Sequence, residues 1–262
     1  MKLKGKTMLL VFSVALTLFT SIMTMSNHRQ VNEQEIVTAD AEEAVVSLVS
    51  SDGRGRGTGF LTTAASGKQV IVTNAHVCEI NNQIPIFVLY HRTPDSLSER
   101  SNHPVTVIKK YSKHDLCMLT VPSDYEATPL TLADSAEVDR KFYLLGYPVV
   151  NLLSVSTGYV RGYNTLRGPY PLPLELCVGE KHYIYTGPIS NRQTGAVSIQ
   201  SVCAIQATFL FTDALADHGA SGGPALNSDG QVIGVVSMIV GEARPFAHLV
   251  PVEDLRDFLS TY

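Results

Sequence analysis

Three short stretches carry side chains that together can transfer an acyl group. Residues 218–226 read HGASGGPAL, with Ser221 between Gly219-Ala220 and Gly222-Gly223. Glycine reaches backbone angles closed to other residues, so the chain can turn sharply there and present the hydroxyl. The missing side chains also let a substrate carbonyl approach the main chain, where the amides of Gly219 and Ser221 can converge on one oxygen. Alone, the segment reads equally well as a glycine-rich turn between strands. Upstream, the apolar run 70–75 ends in His76, and His114-Asp115 heads the apolar run 116–119. Nucleophile, base and orienting acid are the roles that acyl transfer through a serine requires.

The elements that must position these residues read as strands. Residues 44–50, 58–62, 69–74, 84–91, 105–111 and 116–121 are short β-rich runs separated by Pro, Asn, Asp and Ser clusters, and Gly67 turns the second into the third as a hairpin. A second series follows at 141–146, 153–163, 197–211, 232–240 and 246–250. Residues 164–196, with Gly168-Pro169, Pro171, Pro173 and Gly187-Pro188, read as a long excursion between strands. Leu255, Phe258 and Leu259 fall at helical spacing and predict a short terminal helix over 252–262. Many short strands without a long helical period predict an all-β chain of two similar barrels. The first would hold His76 and Asp115, and the second Ser221.

Composition narrows the function classes. A chain of 262 residues with 45% hydrophobic and 17% charged residues can bury a sizeable core and is not disordered. A formal charge of −4 with scattered lysines and arginines argues against nucleic-acid binding. Lys2, Lys4 and Lys6 precede an uncharged, mostly apolar leader helix over 8–25. That order predicts export of the following chain, with residues 1–26 as a signal peptide or a retained membrane anchor and 27–43 as a polar linker. Cys78, Cys117, Cys177 and Cys203 suit an oxidising, extracytoplasmic compartment, and spacing alone permits every pairing. The loop 53–57, GRGRG, lacks the lysine and helix of a phosphate cradle. No histidine falls in a metal-ligand spacing, and neither metal nor cofactor is expected. The oligomeric state is not legible.

TNAHV around His76, HDLCML around Asp115, TDA at 212–214 and GASGGPAL at 219–226, in that order, resemble the chymotrypsin-fold serine peptidases, nearest to the Deg/HtrA-type branch. The resemblance implies a domain over 44–262 made of two six-stranded antiparallel barrels, 44–135 and 136–262, with the site between them. It implies an endopeptidase acting on protein or peptide substrates, with His76 as base, Asp115 as orienting carboxylate, Ser221 as nucleophile and the Gly219 and Ser221 amides as oxyanion hole. Activity would then rise with pH as the base loses its proton. Leu215, six before the serine, would lie at the floor of the pocket for the side chain preceding the cut. His218, Ser237, Met238 and Ala247 would line the substrate path, and an apolar or small side chain would be preferred. His218 and His248 could instead meet an acidic one. If the base and its orienter meet, Cys78 and Cys117 lie close enough to pair, which leaves Cys177 for Cys203. Ala220 stands where digestive members carry an aspartate, so their route of activation is not expected. No PDZ-like segment follows in the sequence.

Two rivals use the same serine. Gly219-Ala-Ser-Gly-Gly223 also fits the nucleophile elbow of α/β-hydrolases, but that elbow needs a helix after the serine, and Pro224 with Asn227-Ser-Asp-Gly230 predicts a turn. A non-catalytic relative used for binding is the other, against which the presence of all three side chains argues.

Overall fold

The computed structural model describes residues 39, 41–50, 56–79, 86–90, 101–111, 114–148, 152–172, 182–190, 196–240 and 246–262. The expectations for the leader, for most of the polar linker and for the Cys177–Cys203 bridge lie outside the described residues. β-branched and aromatic residues favour pleated, half-buried surfaces, and in the first half they build one antiparallel sheet. Its strands are β1 (Val45–Ser50), β2 (Arg56–Thr63), β3 (Gln69–Thr73), β4 (Ile86–Tyr90), β5 (Ser101–Val105), β6 (Val107–Tyr111) and β7 (Leu116–Leu119), in the order β5-β4-β1-β2-β3-β7-β6. The hairpin expected at Gly67 is present, with Phe60 opposite Val72 and Thr63 opposite Gln69. Gly67 takes φ 80°, which suits glycine. The run expected over 105–111 is interrupted at Thr106, and residues 101–105 pair instead with β4. The chain around His76 leaves the strand for a single helical turn, α1 (Ala75–Glu79).

The second half holds β8 (Lys141–Gly146), β9 (Ser154–Leu172), β10 (His182–Ser190), β11 (Val197–Leu215), β12 (Pro224–Leu226), β13 (Val232–Val240) and β14 (Phe246–Pro251). The order β11-β14-β13-β12-β8-β9 closes through a β11–β9 pairing into a six-stranded barrel, to which β10 adds an outer strand. The expectation of two six-stranded barrels is therefore met in this half. The first half is a seven-stranded sheet without a closing pairing among the described residues. The excursion expected over 164–196 is also corrected, because β9 runs on to Leu172 and, with β10, flanks the distal part of β11. These strands form a three-stranded arm.

Strand alternation explains how the halves join. On β8, Phe142 and Leu144 enter the barrel core, whereas Tyr143 and Leu145 pack on the other face with residues of the first sheet such as Val45, Phe60 and Val72. The terminal helix α2 (Val252–Leu259) buries Val252, Leu255, Phe258 and Leu259, as their spacing predicts. Leu255, Phe258 and Leu259 join the cluster shared by the two halves, so α2 straps them together.

Cys78 on α1 and Cys117 on β7 are bonded, with a sequence separation of 39. Closing a loop of that size removes unfolded-state entropy of about 4 kcal/mol in the chain-entropy model. Replacing both cysteines with alanine is expected to lower stability by about 2–4 kcal/mol, which denaturant titration under non-reducing conditions would measure.

Candidate active site

The aspartate and histidine meet as expected. Asp115 adopts φ 53°, a left-handed conformation uncommon outside glycine. Its carboxylate accepts the His76 backbone N–H at 3.0 Å and lies 3.0 and 2.9 Å from the ring Nδ1 through its two oxygens. Asn74, just ahead of α1, donates Nδ2–H to the Asp115 carbonyl at 3.0 Å. A one-turn helix after β3 suits this arrangement, because the same carboxylate can then take both the amide and the ring of His76. The fourth contact comes from the other half, where Ser237 Oγ on β13 donates to Asp115 Oδ2 at 2.5 Å. The sequence pointed to Ser237 only as part of the substrate path. Its residue type gave no sign of this bond, which spans 122 positions.

Ser221 lies on the loop between β11 and β12, held against the first sheet. Thr58 N–H donates to the Ser221 carbonyl at 2.8 Å, and Thr58 Oγ1 donates to the Gly219 carbonyl at 2.7 Å. A Cβ on Gly57 would stand 2.7 Å from Val77 and 3.3 Å from the Ser221 carbonyl, so the residue after His76 and the serine main chain share one small space. Gly222 has φ 87°, and a Cβ there would lie 2.1 Å from the Thr58 carbonyl and 2.2 Å from Thr73 Oγ1. Only glycine permits that approach. Among the described residues, the Ser221 hydroxyl makes no hydrogen bond and none joins it to His76. Such bonds are often long without substrate and tighten in the complex. The amides of Gly219 and Ser221 also have no acceptor among the described residues, whereas Ala220 N–H between them donates to the Asp217 carbonyl at 3.0 Å. Two free N–H groups beside a serine can receive an oxyanion.

The residues expected to bind substrate divide. Leu215 is 52% exposed and, with Leu144, Ser156, Asp217 and Ala220, lines a cavity of about 340 Å³ behind the serine loop. His218 is exposed on that loop, its amide donating to Asp217 Oδ1 at 2.7 Å. Ala247 is fully buried in the barrel core. Met238 pairs along the backbone with His248 on β14. His248 is buried with a ring Nδ1 that has no partner among the described residues, and burial pushes its imidazole down from the ordinary value, partly offset by a hydrogen bond to the Phe246 backbone.

Tyr147 stands beside this loop, where its backbone N–H donates to Thr58 Oγ1 at 2.9 Å and its hydroxyl to the Val45 carbonyl at 3.3 Å. Burial, helped by the charge of Glu42, pushes its phenol up from 10.0 to about 12. The folded state favours the neutral phenol, so this stabilisation is complete below pH 10.0 and is lost as pH rises through about 12. The expected loss is on the order of 2–3 kcal/mol. Denaturant titrations across that window should show it, and Tyr147→Phe should remove it.

Comparison with known proteins identifies the family and the fold. A family model for the trypsin-like peptidase domain matches residues 57–235. The chain is 27% identical over 206 residues to serine protease HTRA4 of Mus musculus, covering 79% of this chain and 34% of that protein. It is 27% identical over 203 residues to the mitochondrial serine protease HTRA2 of Bos taurus, covering 78% and 35%. The chain thus spans about a third of the length of these curated relatives. Among solved structures, the active form of the Rv3671c protease from M. tuberculosis aligns with a TM-score of 0.60 and 21% identity, covering 86% of this chain and 82% of that one. Its inactive form aligns with a TM-score of 0.59 and 21% identity, covering 86% and 91%. With a family model across most of its folded length, the chain belongs to the trypsin-like peptidase family.

Proposed function

We propose that the chain is a serine endopeptidase that cleaves protein or peptide substrates through an acyl-enzyme. His76 takes the proton from Ser221 Oγ as it attacks the scissile carbonyl, and returns it to the leaving amine. Asp115 holds the imidazole by Nδ1 and stabilises its charged form. The Gly219 and Ser221 amides receive the oxyanion. The observation that carries this reading is the Asp115 carboxylate, bound at once to the His76 ring, the His76 amide and Ser237. The His-Asp pair is of little use to a protein that only binds.

The peptidase domain is assigned to 44–262, with halves 44–135 and 136–262, the first completing a barrel of its own. Leu215, His218, Ser237 and Met238 are assigned to the substrate path, whereas Ala247, with no exposed surface, stays in the barrel core. The lysine-preceded apolar leader supports a domain outside the cytoplasm, in a secreted or anchored form. Incubating the purified chain with a peptide library and reading new termini by mass spectrometry tests the activity. Cleavage resistant to chelators is expected. A library left intact would favour the binding reading, to which the absent Ser221–His76 bond also conforms.

A further inference from the structure

The turn carrying Asp115 is also gripped from outside the cleft. A left-handed aspartate persists only where its surroundings hold it. Within the cleft, Asn74 takes the Asp115 carbonyl. On the far side is His114, only 6% exposed. Its Nδ1 lies 2.6 Å from Oδ2 of Asp254 in the first turn of α2. The ring Nδ1 is poorly aligned with that oxygen, so the contact is a close polar approach rather than a linear hydrogen bond. The imidazole stacks on Tyr111, with centroids 5.0 Å apart and planes at 13°, and Tyr111 stacks on Phe258 at 6.0 Å and 2°. Asp254 and Phe258 are one helical turn apart on the same face. The face of α2 therefore closes on His114 twice, directly and through Tyr111.

The helix is itself fixed. Leu255, Phe258 and Leu259 are buried, Arg256 donates to the carbonyls of Ala133 and Asp134, and Lys109 Nζ donates to Thr261 Oγ1 at 2.6 Å. For packing alone, apolar side chains of similar volume would serve as well as a polar contact, which must offset its desolvation. A polar contact fixes direction instead. Here it fixes the residue bonded to the aspartate that meets His76.

We propose that His114 and Asp254 are positioning residues for the reaction, through which α2 holds the 114–115 turn so that the Asp115 carboxylate stays on His76. This rests on the peptidase reading above. The test compares kcat and KM of the full chain with those of Asp254→Asn, His114→Asn, Asp254→Glu and Arg256→Ala, each corrected for folded fraction by near-ultraviolet circular dichroism. Asp254→Asn and His114→Asn are expected to lower kcat roughly 10- to 100-fold with KM within about twofold. Asp254→Glu should recover most of the loss. Arg256→Ala, which removes only the helix contacts to residues 133 and 134, should lower the melting temperature and leave kcat per folded molecule unchanged. If Asp254→Asn does not fold, His114→Asn and Asp254→Glu carry the comparison. Unchanged kcat in folded variants, or an equal fall in Arg256→Ala, overturns the proposal. A wild-type chain without activity would count against the peptidase reading. The proposal would then be read from the proton resonance of His76 Nδ1, expected to shift in Asp254→Asn and His114→Asn but not in Arg256→Ala. An unmoved resonance in all three overturns it independently.

Discussion

Replacing Ser221 with alanine is expected to reduce kcat by roughly 10⁶-fold, because nucleophile and base act as a unit and neither works alone. The substitution removes one oxygen that makes no hydrogen bond among the described residues. The loop is otherwise held by its main chain, through Thr58 N–H on the Ser221 carbonyl and Gly222 N–H on the Val236 carbonyl at 2.8 Å each. Stability should therefore change by less than about 0.5 kcal/mol, as for substitutions that break no named contact. A melting curve and a turnover assay on the same preparation separate the two effects. Retention of more than a small fraction of the activity would show that the hydroxyl is not the attacking group.

The next largest effect is expected from Asp115→Asn, about 10⁴-fold in kcat, since an amide cannot hold the imidazole in the tautomer that accepts the serine proton. The geometry explains why no rotation of the amide escapes this. One carboxylate oxygen takes the His76 amide and approaches Nδ1, and the other takes Nδ1 and the Ser237 hydroxyl. An asparagine turns one of these acceptors into a donor. With its nitrogen toward Nδ1 and Ser237 it forces the wrong tautomer; turned over, it confronts the His76 N–H. A stability loss of about 1–3 kcal/mol should accompany the second orientation, from a buried donor left unpaired. Turnover over pH 5 to 10 with the melting temperature checks both, and a fall of less than tenfold would argue against Asp115 as the orienting group.

What could be read from the chain depended on how local the signal was. The hairpin at Gly67 and the face of the terminal helix rest on neighbouring residues, and both are present. The arm was missed because Pro169, Pro171 and Pro188 argue against strands. In the distal arm β9 and β10 are outer strands on either side of β11, where a residue without an N–H need not break a ladder. The single turn of α1 is too short for any periodicity to show. His76, Asp115 and Ser221 stood out by residue type and order, and the Cys78–Cys117 bond followed from placing the first two together. The Ser237 bond to Asp115 and the Asp254 contact to His114 join residues far apart in sequence, and nothing local distinguishes either partner.

The proposed chemistry requires Ser221 to be made nucleophilic by its surroundings. Reaction of the intact chain with a fluorophosphonate, followed by peptide mapping, measures that reactivity at the atom concerned. A single adduct is expected on Ser221, absent from His76→Ala at matched folding. An adduct on any other residue, or an unmodified chain under conditions that label an active serine peptidase, would contradict it.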